Sequence, residues 1–258
     1  MPEVKLPPIG FCIYCDADGS SVGLTDEHAI PFGLNGWLLL RKASCKSCAK
    51  ITGTIEQRSL RGFLLEARTH LNMQTRRPKE RPTTFRAFLK SPDGQAVETH
   101  LPISKNPMVL RLPNLGNPPI LSGHTGGAWI EHISPIFWTF IGANTPAQVE
   151  AAKNLDSKIL DYAPTQFALF LAKVAHCCAV FHKGYKGFEP LLAKKIISQS
   201  LDISDYVGGC ARPLIQERNT SFHVNVRTKQ DWVIVELCLF AHLGAPYYEV
   251  VVGRPKAP

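Results

Sequence analysis

Apolar and polar positions change period twice within the first 75 residues. "SVGLTDEHAIP" (21–31) alternates and carries β-branched residues, which predicts a strand ending at Pro31, with "FGLNG" as the loop that follows. "WLLLRKAS" (37–44) predicts the returning strand. From Cys45, "CKSCAKITGTIEQRSLRGFLLEARTHL" spaces its apolar residues at helical intervals and predicts a helix, with Gly53 as its weak point. The order is strand, loop, strand, helix.

Beyond residue 75 the pattern is mixed. "TRRPKERPTT" (75–84) is basic, holds two prolines and lacks apolar periodicity, so it reads as a linker. "FRAFLK" and "AVETHLP" flank "SPDGQ" and predict a hairpin turning at Pro92–Gly94. Residues 105–127 are rich in Pro and Gly and read as loops. "TPAQVEAAKNLDSKIL" has a Thr at the N-cap position and Pro at the first helical position, so a helix is predicted there. "TQFALFLAKVAHCCAVFHKG" is apolar on nearly every side and predicts a buried helix; "FEPLLAKKIISQSL" predicts another. "FHVNVRTKQDWVIVELCLF" and "YYEVVVG" predict closing antiparallel strands. The fold class expected is α+β: a unit over 1–75, a basic linker over 76–84, and a larger α+β domain over 85–258 whose histidines show no metal-ligand spacing.

Composition adds compartment. A hydrophobic share of 45% and a charged share of 19% fit a globular chain. The opening "MPEVKLPPIG" lacks the apolar core of a secretory leader, and the most apolar stretch is interrupted by Lys173 and His176. A cytoplasmic protein with no membrane partner is expected, and there paired cysteines favour metal over disulfides. Charge adds a partner class. Residues 1–40 carry one basic and five acidic groups, residues 41–90 thirteen basic and three acidic, and residues 91–258 fifteen and thirteen. The excess follows the second cysteine pair and is the footprint of a protein that meets a polyanion.

Cys12, Cys15, Cys45 and Cys48 form C-x2-C-x29-C-x2-C. Two such turns present four thiolates to a tetrahedral Zn²⁺ and leave no open position, so the metal would be structural. In a short unit with little core, it would supply much of the folding energy. Cys177, Cys178, Cys210 and Cys238 lack this spacing and read as small buried hydrophobes.

"C12-IY-C15", then "E27-H28-A-I-P31", a Gly-bearing loop, and "C45-KS-C48" opening a helix resembles the zinc-stapled branch of the HNH endonucleases. Their catalytic unit is the ββα-metal fold, and the resemblance covers residues 10–75, about a quarter of the chain. It implies His28 as the general base that deprotonates water. It implies Glu27 as ligand to a catalytic Mg²⁺ or Mn²⁺, with Asp26 as a neighbouring candidate. Double-stranded DNA is the partner implied, with Arg41, Lys42, Lys46, Lys50, Arg58, Arg61 and Arg68 as phosphate contacts. The family places Asn or His directly after the last cysteine; here Ala49 cannot ligate. Glu56, two helical turns on, could supply the missing oxygen, or could pair with Arg58 or Arg61 instead. Asn35 shapes the loop. The alternative reading is a zinc-stapled nucleic-acid-binding or regulatory protein that does not cut.

Overall fold

The computed structural model describes residues 3–106, 108–125, 134–141, 164–209 and 221–256. Along the chain run β1 (Val4–Lys5), β2 (Leu24–His28), β3 (Leu38–Cys45), α1 (Lys46–Arg61), α2 (Leu65–His70), β4 (Thr84–Lys90), β5 (Ala96–Pro102), β6 (Met108–Asn114) and β7 (Ser134–Ile141). After them come α3 (Pro164–Lys183), β8 (Phe188–Pro190), α4 (Ala193–Ser198), β9 (Val207–Gly209), β10 (Phe222–Lys229), β11 (Trp232–Leu239) and β12 (Tyr247–Pro255). The fold is α+β, as the pattern predicts.

Three elements near the N-terminus form the predicted strand–strand–helix unit. β2 pairs antiparallel with β3, and β1, which the pattern does not reveal, pairs parallel with the other edge of β3. β3 then passes directly into α1. Gly53 does not break this helix, which runs through it, and a Cβ there would meet nothing within 4 Å. The break falls at Gly62, where a Cβ would lie 2.5 Å from the Arg58 carbonyl oxygen. The chain needs a residue without one to leave α1 and start α2.

The second half builds a sheet in the order β10–β11–β12–β8, with β9 also on β12. β4 and β5 form the hairpin predicted, turned by Gly94 at φ +82°. Within the span read as loops, β6 is a strand paired with β7. Its Leu110 and Leu112 are fully buried, so packing overrides the local Pro and Gly signals. The "FEPLLAKKIISQSL" stretch yields β8 and only a short helix, α4. The helix predicted over "TPAQVEAAKNLDSKIL" lies outside the described residues, as does Cys210.

α3 organises the whole. Its 20 residues include fourteen buried ones. It packs against β11 and β12 on one side and against α1 and β3 on the other. By length and composition alone α3 could cross a membrane, but 78% of its apolar window is buried inside the protein. One apolar cluster runs from Cys12 and Ile13 through Ile55 and Leu64 to Phe167, Phe170, Tyr248 and Val252. The core therefore crosses the boundary expected near residue 75, and the N-terminal unit shares its interior with the second half. A further tie holds them together: the Gln166 side-chain amide donates to the Ile55 carbonyl (3.0 Å). Within the second half, the wholly buried Tyr248 hydroxyl donates to the Pro113 carbonyl (2.8 Å).

Candidate functional site

The four cysteines of the two C-x2-C turns converge. Cys45 ends β3, Cys48 lies in the first turn of α1, and Cys12 and Cys15 flank a tight turn in which the Asp16 N–H donates to the Cys12 carbonyl. All four Sγ atoms lie within 4.8 Å of one another, with Cys15 and Cys45 3.8 Å apart. With Zn–S near 2.3 Å, a tetrahedral ZnS₄ unit has edges of about 3.8 Å. The cluster can therefore hold a metal ion such as zinc, and among the described residues it is the only such group of His, Cys, Asp or Glu. Burial raises the Cys45 thiol, but hydrogen bonds from the Ser47 hydroxyl and the Cys48 N–H outweigh it and bring the thiol to about 6. Burial raises Cys48.

The acid and histidine between the knuckles sit at the end of β2, opposite α1. The register shift between Thr25 and Glu27 breaks the alternation of β2, so that Glu27 is buried like Leu24 while His28 is left partly open. Thr25, Asp26, Glu27, His28, Phe32, Gly53 and Glu56 all line one cleft of about 870 Å³, together with Arg61, Arg68, Arg76, Arg77 and Arg81. The His28 ring lies edge-on to Phe32, with centroids 6.0 Å apart, and its Nε2 is 3.3 Å from a carboxylate oxygen of Glu3. Glu3 reaches His28 because β1 and β2 flank the same strand.

What occupies the space between the carboxylates is Lys173, from the middle of α3. Its Nζ, wholly buried, lies 2.8 Å from Glu27 Oε1 and 2.5 Å from Glu56 Oε1, and donates to the His28 carbonyl oxygen at 2.6 Å. Burial alone would push this ammonium down; the charges of Glu27 and Glu56 override that and hold it well above the ordinary lysine range. Behind it, the Tyr14 hydroxyl donates to Glu27 Oε1 (3.2 Å) and lies 3.1 Å from Cys177 Sγ. Burial is the main cause raising both groups, Cys177 to about 12. His176, one position away, sets a ring nitrogen 2.9 Å from the Ile13 carbonyl oxygen, and burial lowers it to about 4.

The residues do not fit a catalytic Mg²⁺ or Mn²⁺ in the way the resemblance implies. Glu27 and Glu56 do converge, but on an ammonium of the same chain. Asp26 lines the same cleft, but one of its carboxylate oxygens is committed to backbone. β3 bulges opposite it, with Lys42 at φ +48°, and Asp26 Oδ1 accepts the Lys42 backbone N–H (2.9 Å). Asp26 Oδ1 thus caps a bulge. Glu56 pairs with neither Arg58 nor Arg61 but with Lys173, which neither sequence-based alternative anticipates.

The expected phosphate contacts divide into three groups. Arg61 is exposed and lines the cleft. Arg41, Lys42, Lys46, Lys50 and Arg58 are exposed but lie outside it, with Lys42 Nζ donating to the Leu24 carbonyl and Arg58 to the Gln199 side chain (3.4 Å). Arg68 is a strut: its guanidinium donates to the backbone carbonyls of Gly33 (2.6 Å), Leu60 (2.7 Å) and Gln74 (3.2 Å), which ties the loop after β2 to both helices. That geometry uses the fork and corrects its placement among free phosphate contacts. Conversely, Arg76 and Arg77 of the basic linker enter the cleft, with Arg76 5.8 Å above the Phe32 ring. Asn35 turns the loop at φ +60° as expected, and its side chain accepts the Gln74 N–H (2.8 Å).

Sequence reasoning missed Lys173, Tyr14 and Glu3. For Lys173 a signal exists: a lysine on a helix apolar all round must meet a buried acid, because an unpaired buried ammonium is not tolerated. Comparison with known proteins finds no matching family model, no matching curated protein and no matching solved structure.

Proposed function

We propose that this chain acts on DNA as an HNH-type endonuclease, with His28 as the base that activates water. The observation carrying the reading is that His28 shares its cleft with Arg61, Arg76 and Arg77. Guanidinium groups there would hold the scissile phosphate and neutralise charge developing on it, while Glu3 orients the imidazole from its Nε2 side. A zinc ion on the four cysteines would fix the end of β3 and the start of α1 against the Cys12–Cys15 turn, and its role would be structural. The remaining basic residues around α1 would position the duplex without reading its sequence.

A second reading is favoured by one observation. With Lys173 between Glu27 and Glu56 and Ala49 at the position of the usual ligand, the cleft could bind nucleic acid without cutting it. Supercoiled plasmid incubated with Mg²⁺, with Mn²⁺, or with EDTA separates the two, alongside a gel-shift measurement. Nicking by the wild type that disappears in His28→Ala, with DNA affinity retained, supports the nuclease. Binding without nicking in every condition selects the binding protein. Absence of binding removes both.

A further inference from the structure

The oxygens around Lys173 Nζ come from three separate elements. Glu27 Oε1 belongs to the end of β2, Glu56 Oε1 to α1, and the third is the main-chain oxygen of His28; all lie between 2.5 and 2.8 Å from the nitrogen. Two carboxylates and a carbonyl oxygen are the donor set that hard divalent cations take. Here the centre is filled from behind by a side chain whose helix is locked into the core on both faces. The ammonium cannot swing out without emptying that space, and the cleft on the other side is where an ion would enter.

We propose that Lys173 is the resident cation of a divalent-cation site. Its ammonium group permanently offsets one of the two negative charges of Glu27 and Glu56, holds the end of β2 against α1, and makes any activity in this cleft independent of Mg²⁺ or Mn²⁺ at that position. The idea rests on the ββα reading of the N-terminal unit, but not on whether the protein cuts DNA. A single positive charge replaces a double one, so the carboxylates retain one net negative charge. That negative charge faces a cleft edged by Arg61, Arg76 and Arg77, which keeps the floor of the cleft from repelling a phosphate as strongly as two bare carboxylates would.

The test is Mn²⁺ binding to the zinc-loaded full chain, followed by electron paramagnetic resonance. Soft thiolates disfavour Mn²⁺, so the cysteine cluster does not compete. The wild type is expected to bind none at this position. Lys173→Met, which keeps the apolar stem and removes the charge, is expected to gain one site per chain, because two carboxylates are freed. Lys173→Met combined with Glu27→Gln and Glu56→Gln is expected to lose it again. Should Lys173→Met fold poorly without ion, its refolding is followed against Mn²⁺ concentration. Recovery that is absent in the triple variant supports the proposal, and no recovery overturns it. A folded Lys173→Met that binds no Mn²⁺ overturns it as well, and so does a wild-type site that Glu56→Gln abolishes. None of these readouts involves cleavage, so failure of the nuclease reading leaves a separate signature.

Discussion

Replacing Lys173 by methionine should be among the most damaging single changes in the protein. The methionine fills much of the same space, so the loss of packing is small. The electrostatic change dominates. One ammonium serves two carboxylates, whose side chains are 8% exposed at Glu27 and 22% exposed at Glu56. Breaking a buried ion pair by removing one partner costs about 3–5 kcal/mol, because the remaining charge stays desolvated. Glu56 can turn toward the cleft and regain water, while Glu27 is held by the Tyr14 hydroxyl and has less freedom. The expected loss is therefore about 3–5 kcal/mol in total, not twice that. Total stabilities run to about 5–15 kcal/mol, so the variant folds but with a much reduced margin. Equilibrium urea unfolding of zinc-loaded protein reads this as a fall in midpoint of about 1–2 M with little change in slope. Adding Glu27→Gln and Glu56→Gln should restore most of the loss, since amides carry no net charge to bury. A Lys173→Met protein within about 1 kcal/mol of the wild type would refute the reasoning, because Glu27 could then not be a desolvated charge that depends on this lysine.

Two further outcomes follow from the same geometry. Elemental analysis of purified protein should find one zinc per chain, and Cys45→Ser should lose it together with the folded N-terminal unit, seen as loss of protection of β3 and α1 in hydrogen exchange. The arginines of the helix region should separate by role. Arg68→Ala should lower stability by about 2–4 kcal/mol, since three charge-assisted bonds to backbone carbonyls are lost. Arg76→Ala should leave stability nearly unchanged and reduce the slope of log affinity against log salt by about 0.9, the value for one phosphate contact. Equal effects of the two changes on stability would refute this division.

Much of the N-terminal unit is legible along the chain because its determinants are local. Two C-x2-C turns bring thiolates together within each turn. β-branched alternation before Pro31, the apolar run "LLL" and the helical spacing after Cys45 specify strand, strand and helix over short ranges. The twenty-residue apolar helix and the closing strands are legible for the same reason, and so is the hairpin at Gly94. The short strand β6 is not, because its apolar residues are too few to stand out among prolines and only burial of Leu110 and Leu112 makes it a strand.

The chemistry of the site was decided at longer range. That Glu27 and His28 stand side by side is a property of the sequence. What faces them is not: Lys173 meets Glu56 across 117 positions and the His28 carbonyl across 145. Helical periodicity shows that Lys173 must be buried and must therefore find an acid, but the choice among acids depends on how α3 docks between the zinc-stapled unit and the sheet. Asp26 and Arg68 make the same point in reverse, each having the right side chain for the expected role yet being turned to backbone by a bulge in β3 and by the loop after β2. A local pattern fixes which residues are on an element and which face they share; the direction in which a charge is neutralised is set by whatever the tertiary packing brings within about 3 Å, because a buried charge takes the nearest opposite one.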